Sequence, residues 1–189
     1  MKIGILGGTF NPPHLGHLIL ADEAREKLGL GRVLFVPAWR APHKPGADIA
    51  PAGQRLAMLR LAVKGNRFFR VCLCEIRRKG KSYTIDTLKE LKRRFPEDDL
   101  YFITGSDLLK YLGEWKDLAK ILKMAKFVVA ARPGYSLRAI PRRIKTMSIR
   151  AADISGFEIR RMIRQGGSFR YLVPEAVFKY INQHKLYKV

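Results

Sequence analysis

Short, nearly continuous apolar runs alternate along this chain with longer stretches in which apolar residues recur every three or four positions. The runs read as strands: KIGIL (2–6), RVLFVP (32–37), FFRVCLCEI (68–76), LYFITG (100–105), KFVVAA (126–131) and TMSIRA (146–151). The stretches between them read as helices. They cover 14–28, ended by Gly29 and Gly31; 54–63, with Leu56, Leu59 and Val63 at helical spacing; 84–95, with Thr84 as its cap; a short piece after 105; 157–166; and 174–183, opening at Pro174. Strand–helix alternation with strands apolar on both faces predicts an α/β fold, its mostly parallel sheet covered on both sides. Ligands of such sheets bind beyond the carboxyl ends of the strands, where the strand order reverses. The Pro-, Gly- and Ala-rich loop after the second strand is long enough to suggest a function. The basic stretch 133–145 is the best candidate for a mobile insertion.

Composition narrows this picture. A chain of 189 residues that is 47% hydrophobic fits one domain, taken as 1–189. Its apolar runs are too short and too interrupted by charge to cross a bilayer. The chain opens on a strand-like segment without the pattern of a secretion signal, so a soluble, cytoplasmic protein is expected. Cys72 and Cys74 stand two apart; on a strand they would share a face in poor disulfide geometry, and they read as two small core-facing residues. The net charge is +21, and nine Lys or Arg and no acidic residue lie between Asp117 and Asp153. Such a field attracts nucleic acid or phosphorylated small molecules, or simply keeps a lysine-rich surface soluble. Arg is not interleaved with aromatics in any clear way, so charge alone does not define a nucleic-acid binder.

The densest chemistry lies at the first strand-to-helix junction, GGTFNPPHLGH (7–17). Gly7 and Gly8 permit a sharp turn and close approach of a ligand. Asn11 is a favoured helix cap, and Pro12 and Pro13 suit the turn and the first helical position. The first-turn amides of the helix would then face an anion, and His14 and His17 would present imidazole N–H groups to the same place. Gly16 removes a side chain where something must pack closely. The segment is neither a G-x-G-x-x-G fingerprint nor a Walker loop. A zinc site would need a third ligand, and His43 is the only other histidine in the front half.

GGTFNPPHLGH resembles the signature of the nucleotidylyltransferase superfamily, and its HLGH is similar to the H-I-G-H of class I aminoacyl-tRNA synthetases. FVPAWRAPHK (35–44), SYTIDTLKEL (82–91), GSDLL (105–109) with Trp115 after it, RPGYSL (132–137), ISGFEIRRMI (154–163) and the terminal PEAVFKYINQHKLY recur in that order in bacterial nicotinate-nucleotide adenylyltransferases. The resemblance spans most of the chain. It implies a Rossmann-like, doubly wound sheet with C-terminal helices. It also implies transfer of the adenylyl group of ATP, carried as its Mg²⁺ complex, to nicotinate mononucleotide, giving deamido-NAD and pyrophosphate.

On that resemblance Gly8, Thr9, Phe10 and Asn11 would line the adenylate. His14 and His17 would contact the ATP phosphates and the transition state, and Lys44 a phosphate of the mononucleotide. Ser155 and Arg160 would hold the β- and γ-phosphates, with Gly105, Ser106, Asp107 and Arg132 completing the ATP site. Thr84 and Ile85 would offer amides to the nicotinate carboxylate, Trp115 a stacking face to the ring, and Asp107 a contact to ribose. No protein-held metal, membrane or nucleic-acid partner is implied, and a homo-oligomer is compatible with the chain.

Two departures stand out. The late motif usually reads I-S-S/T-T-x-I-R, whereas here Gly156 and Phe157 replace two hydroxyl residues. Losing one or two hydrogen bonds to a triphosphate would cost about 1–3 kcal/mol if nothing compensates. Asn11 stands where Asp is commoner, which removes a negative charge near phosphate. Two further readings remain open at this stage: a sister enzyme for nicotinamide mononucleotide or a phosphopantetheine, and an RNA-binding protein on an old nucleotide fold.

Overall fold

The computed structural model describes residues 1–42, 48–131, 143–150 and 153–188. Six strands form one sheet: β1 (Lys2–Gly8), β2 (Arg32–Pro37), β3 (Phe69–Val71), β4 (Asp99–Gly105), β5 (Lys126–Ala131) and β6 (Ile144–Ser148). Their order is β3-β2-β1-β4-β5-β6, and every pairing is parallel. The order reverses between β1 and β4, so a crevice opens beyond Gly8 and Gly105.

Alternation along the strands builds two core layers. Ile3 and Ile5, Leu34 and Val36, Leu100 and Phe102, and Phe127 and Val129 face one side. Leu6, Val33 and Phe35, Tyr101 and Ile103, and Val128 and Ala130 face the other. The first layer is covered by α3 (Cys74–Arg78), α4 (Thr84–Arg94) and α5 (Leu118–Met124), the second by α1 (Leu15–Leu28) and α2 (Ala52–Val63). A third cluster packs α6 (Gly156–Arg164) and α7 (Glu175–Gln183) around Met58 of α2. The fold is thus the doubly wound α/β architecture expected.

Several local expectations are corrected. The expected strand 68–76 is only Phe69–Val71, because this edge strand pairs with β2 alone among the described elements. Past it, the Cys72 amide makes one more bond to the Phe35 carbonyl at 2.9 Å, and the chain then winds into α3, with Arg77 N–H on the Leu73 carbonyl. Cys72 and Cys74 therefore do not share a strand face, although both are free thiols buried in the same layer. Thr84 is the first residue of α4 and Tyr83 its cap, and Pro174 is the cap of α7, not its first helical residue. The last strand is Ile144–Ser148, starting two residues and ending three residues earlier than expected. A 3-10 stretch, Ser106–Glu114, follows β4, and α5 was not foreseen as a separate helix. Of the expected insertion, 133–142 lies outside the described residues, and its end is already part of β6.

Candidate active site

At the end of β1 the chain turns through Phe10, whose φ of 50° is left-handed. The Phe10 ring is buried and meets His17 edge-on at 5.0 Å between centroids. A Cβ on Gly8 would lie 3.2 Å from that ring, so glycine makes room for it. His14, not Asn11, is the N-cap of α1, and both prolines precede the helix. The His14 amide donates to His17 Nδ1 at 3.2 Å, and the two rings lie 3.7 Å apart, tilted by 31°. With Nδ1 accepting, the neutral His17 ring carries its proton on Nε2. A Cβ on Gly16 would sit 3.1 Å from His14 Nδ1, which accounts for the glycine between the histidines.

Asn11 is drawn out of the capping position by long-range bonds. Its Nδ2 donates to the Asp48 carbonyl at 2.8 Å, and its Oδ1 accepts from the Ala50 amide at 3.0 Å and from the Tyr187 hydroxyl at 2.8 Å. Burial pushes the Tyr187 phenol up, so it stays a neutral donor. An Asp at position 11 would lose the bond to the Asp48 carbonyl, so Asn suits this junction.

A second helix start converges on the same loop. Ser155 caps α6, its hydroxyl accepting from the Glu158 amide at 3.2 Å. Arg160 Nη1 donates to the carbonyls of Asn11 at 2.8 Å and Gly156 at 2.9 Å. Burial pulls the Arg160 guanidinium pKa down, and its Nε has no hydrogen-bond partner among the described residues. A Cβ on Gly156 would stand 2.9 Å from the Asn11 carbonyl oxygen. The glycine that breaks the usual motif is thus required by the close approach of α6 to the first loop.

Arg55 was missed by sequence reasoning. It is 1% exposed, yet it donates to four carbonyls: Thr9 at 2.8 Å, Ala38 at 2.7 Å, Trp39 at 3.1 Å and Ala50 at 2.9 Å. It ties the loop after β1 to both ends of the loop after β2. The available signal was its place on the buried stripe of α2, with Met58 and Leu59 three and four residues on.

On the other side of β1 lies a cavity of about 150 Å³. Gly8, Thr9, Trp115 and Phe102 line it, with Tyr83 and Thr84 from the start of α4. Trp115 packs edge-on against Phe102 at 5.7 Å and Phe127 at 5.6 Å, which fixes its ring as a wall. The Ile85 side chain is fully buried, so only its backbone is offered. The Thr84 and Ile85 amides belong to the first turn of α4, whose N–H groups lack intrahelical acceptors. Lys116 Nζ stands 4.9 Å from the Tyr83 ring centroid and also lines the cavity. Glu75 lines it too, although it is only 7% exposed; burial raises its carboxyl pKa above the ordinary value. Lys116 and Glu75 were also not foreseen.

Gly105 ends β4, and Ser106, 3% exposed, starts the 3-10 stretch; its hydroxyl has no partner among the described residues. Lys44 and Arg132 lie outside the described residues, as does the side chain of Asp107. Among the described residues no group of three or more His, Cys, Asp or Glu is placed to hold a metal ion, and no helix is long and apolar enough to cross a membrane.

A parallel sheet with this strand order, and two helix N-termini with paired imidazoles and a guanidinium at its switch point, define a nucleotide-handling α/β protein of the nucleotidyltransferase class. Residues 5–162 match the cytidylyltransferase-like family, to which the chain belongs. Within it, the chain is a member of the nicotinate-nucleotide adenylyltransferase group. It is 46% identical over 188 residues to the "Probable nicotinate-nucleotide adenylyltransferase" of a Thermus thermophilus strain, covering 100% of both chains. It is 38% identical over 199 residues to the protein of the same name from a strain of Desulfitobacterium hafniense, covering 100% of this chain and 96% of that one. Its fold is similar to that of the Plasmodium falciparum nicotinic acid mononucleotide adenylyltransferase complexed with NaAD. There the TM-score is 0.80 at 19% identity, over 98% of this chain and 97% of that one.

Proposed function

We propose that this enzyme transfers the adenylyl group of ATP to nicotinate mononucleotide, forming deamido-NAD and pyrophosphate. The observation that carries the reading is the meeting of two helix N-termini, with His14, His17 and Arg160, beside an aromatic-walled cavity closed by the start of α4. The first half suits a triphosphate and the second a flat ring bearing an anionic group.

In the reaction a phosphate oxygen of the mononucleotide bonds to the α-phosphorus of ATP, and the bond from that phosphorus to the pyrophosphate oxygen breaks in line. A phosphate monoester has its second pKa near 6, so the nucleophile is already ionised and needs no general base. The protein's work is to bring two polyanions together and to neutralise the charge that develops. His14 and His17 stabilise the transferring phosphoryl group, and the amides and backbone of Gly8, Thr9 and Phe10 face the adenylate. Asn11 acts through its carbonyl, which sets Arg160. Ser155 and Arg160 hold the leaving pyrophosphate, and Gly105, Ser106, Asp107 and Arg132 complete the nucleotide site. Lys44 neutralises the mononucleotide phosphate, Trp115 stacks on the pyridine, Asp107 takes its ribose, and the Thr84 and Ile85 amides take its carboxylate. Mg²⁺ arrives with ATP as part of the substrate. Both substrates are phosphorylated metabolites of the cell interior, which makes the cytoplasm the expected site of action.

The test is pyrophosphate release from MgATP with nicotinate mononucleotide, nicotinamide mononucleotide and phosphopantetheine in parallel. Preference for the nicotinate form is expected. Preference for another acceptor overturns the cavity assignment, and silence with all three overturns the reaction.

A further inference from the structure

Among the described residues that line the ring cavity, Glu75 and Lys116 are the two with charged side chains, and the reaction just described uses neither. Glu75 is buried, and its carboxylate accepts from the Thr87 hydroxyl at 2.5 Å. Lys116 is exposed and directly follows Trp115, in the short link between the 3-10 stretch and α5. Its ammonium rests 4.9 Å from the centroid of the Tyr83 ring, and Tyr83 is the cap of α4. The cation thus stands over the residue just before Thr84 and Ile85, whose amides open that helix. Among the described residues Lys116 makes no salt bridge; the adjacent Asp117 pairs with Lys120 at 2.9 Å instead. A cation resting on an exposed aromatic face is held weakly, so an arriving anion redirects it easily.

We infer that Lys116 is a specificity-determining residue: its ammonium is the counter-charge that lets the cavity favour a ring bearing a carboxylate over the same ring bearing a neutral amide. The inference rests on the proposed reaction and deepens it. The start of α4 offers only a partial positive charge, about half a unit for a whole helix end. A substrate carboxylate also enters a cavity whose wall already holds the Glu75 carboxyl. A full positive charge beside the helix start offsets that like-charge encounter and adds to the pull of the amides. A neutral carboxamide gains nothing comparable from an ammonium. Nicotinamide mononucleotide has the same ring and the same ribose phosphate, so any contact of Lys116 with phosphate would act on both substrates alike. The difference between the two therefore isolates the carboxylate.

The experiment compares Lys116→Met, Lys116→Glu and Lys116→Arg with the parent, using steady-state pyrophosphate release with the nicotinate and nicotinamide mononucleotides at saturating MgATP. Lys116 is exposed, so none of these changes removes core packing. Lys116→Met keeps the length of the side chain and removes its charge. It is expected to raise KM for the nicotinate form about three- to fivefold, with KM for the nicotinamide form changed by no more than about twofold. Lys116→Glu should raise it further, by about tenfold or more, and Lys116→Arg should stay within about twofold of the parent. If the nicotinamide form turns over too slowly to give a KM, its Ki against the nicotinate form is compared instead. Raising the salt from about 0.05 to 0.5 M should weaken the preference for the nicotinate form more in the parent than in Lys116→Met. Equal shifts for both mononucleotides would place the contact on their shared phosphate and overturn the role. Equal losses in Lys116→Met, Lys116→Glu and Lys116→Arg would show packing in place of charge, and would overturn it too. A parent that turns over neither pyridine nucleotide rejects the reaction and this role together; a parent that turns over the nicotinate form with unshifted variants rejects this role alone.

Discussion

Glu23 anchors the segment that leads into α6, and its removal has a calculable, pH-dependent cost. Its carboxylate accepts from Lys27 Nζ at 2.7 Å and from Arg150 N and Nε at 2.9 Å each, while Lys27 Nζ also donates to the Ser148 carbonyl at 2.6 Å. Charge-assisted bonds, led by that from Lys27, hold the carboxyl pKa down at about 2 against an ordinary 4.5. Taken at face value that shift corresponds to about 3.4 kcal/mol. The Glu23 side chain is covered, but its partners are open to water, Arg150 at 88% and Lys27 at 48% exposure. Screening at those cations reduces the figure to about 1–2 kcal/mol. Because the folded-state pKa is depressed, this stability is fully present above about pH 4.5 and is lost as pH falls towards 2. Glu23→Gln keeps the shape and removes the charge, so it should lower Tm at pH 7 by about 2–8 °C. With the contribution so reduced, roughly two-thirds of that gap should have closed by pH 3.5. Thermal melts of parent and variant at steps between pH 7 and 3.5 make the measurement. A gap that stays constant across that range, or no gap at pH 7, refutes the electrostatic account.

Gly156→Ser, which restores the commoner residue, should lower stability by about 1–3 kcal/mol and leave ATP binding no tighter, because its Cβ meets the Asn11 carbonyl at 2.9 Å. Tighter ATP binding at unchanged Tm would refute this. His17→Ala should cut kcat by about 10²–10³-fold. The same change should cost about 0.5–2 kcal/mol of stability, since His17 Nδ1 accepts from the His14 amide; unchanged kcat in the folded variant would exclude a phosphate role. Trp115→Ala should raise KM for nicotinate mononucleotide about tenfold with little effect on that for ATP, and Trp115→Phe should recover most of the loss. Equal effects on both substrates would count against stacking.

What was legible in the sequence was whatever leaves a local trace. Strand β2 and strand β5 match their expected bounds, because each is an unbroken apolar run with a charged residue at its start. The switch-point motif stood out because glycines and histidines are crowded into one turn. The short helices were harder: α3 has five residues and α5 seven, too few for a periodic pattern to declare itself. Contacts across the fold left no trace at all. Asn11 looked like a cap because Asn is a good one, but bonds to Asp48, Ala50 and Tyr187 claim its side chain and leave His14 at the helix start. Gly156 read as a lost hydroxyl, and only the neighbouring carbonyl explains it.

The Tyr187 hydroxyl reaches Asn11 across 176 positions of sequence. The brace on the loop after β1 is therefore supplied by a residue synthesised long after the loop itself. A nascent chain, or one cut anywhere before residue 187, has that loop and its histidines without this bond. Pairings so distant in sequence form late, after the local helices and neighbouring strands. A product that stops short of residue 187 therefore holds the parts of the nucleotide site without one of the three hydrogen bonds on the Asn11 side chain.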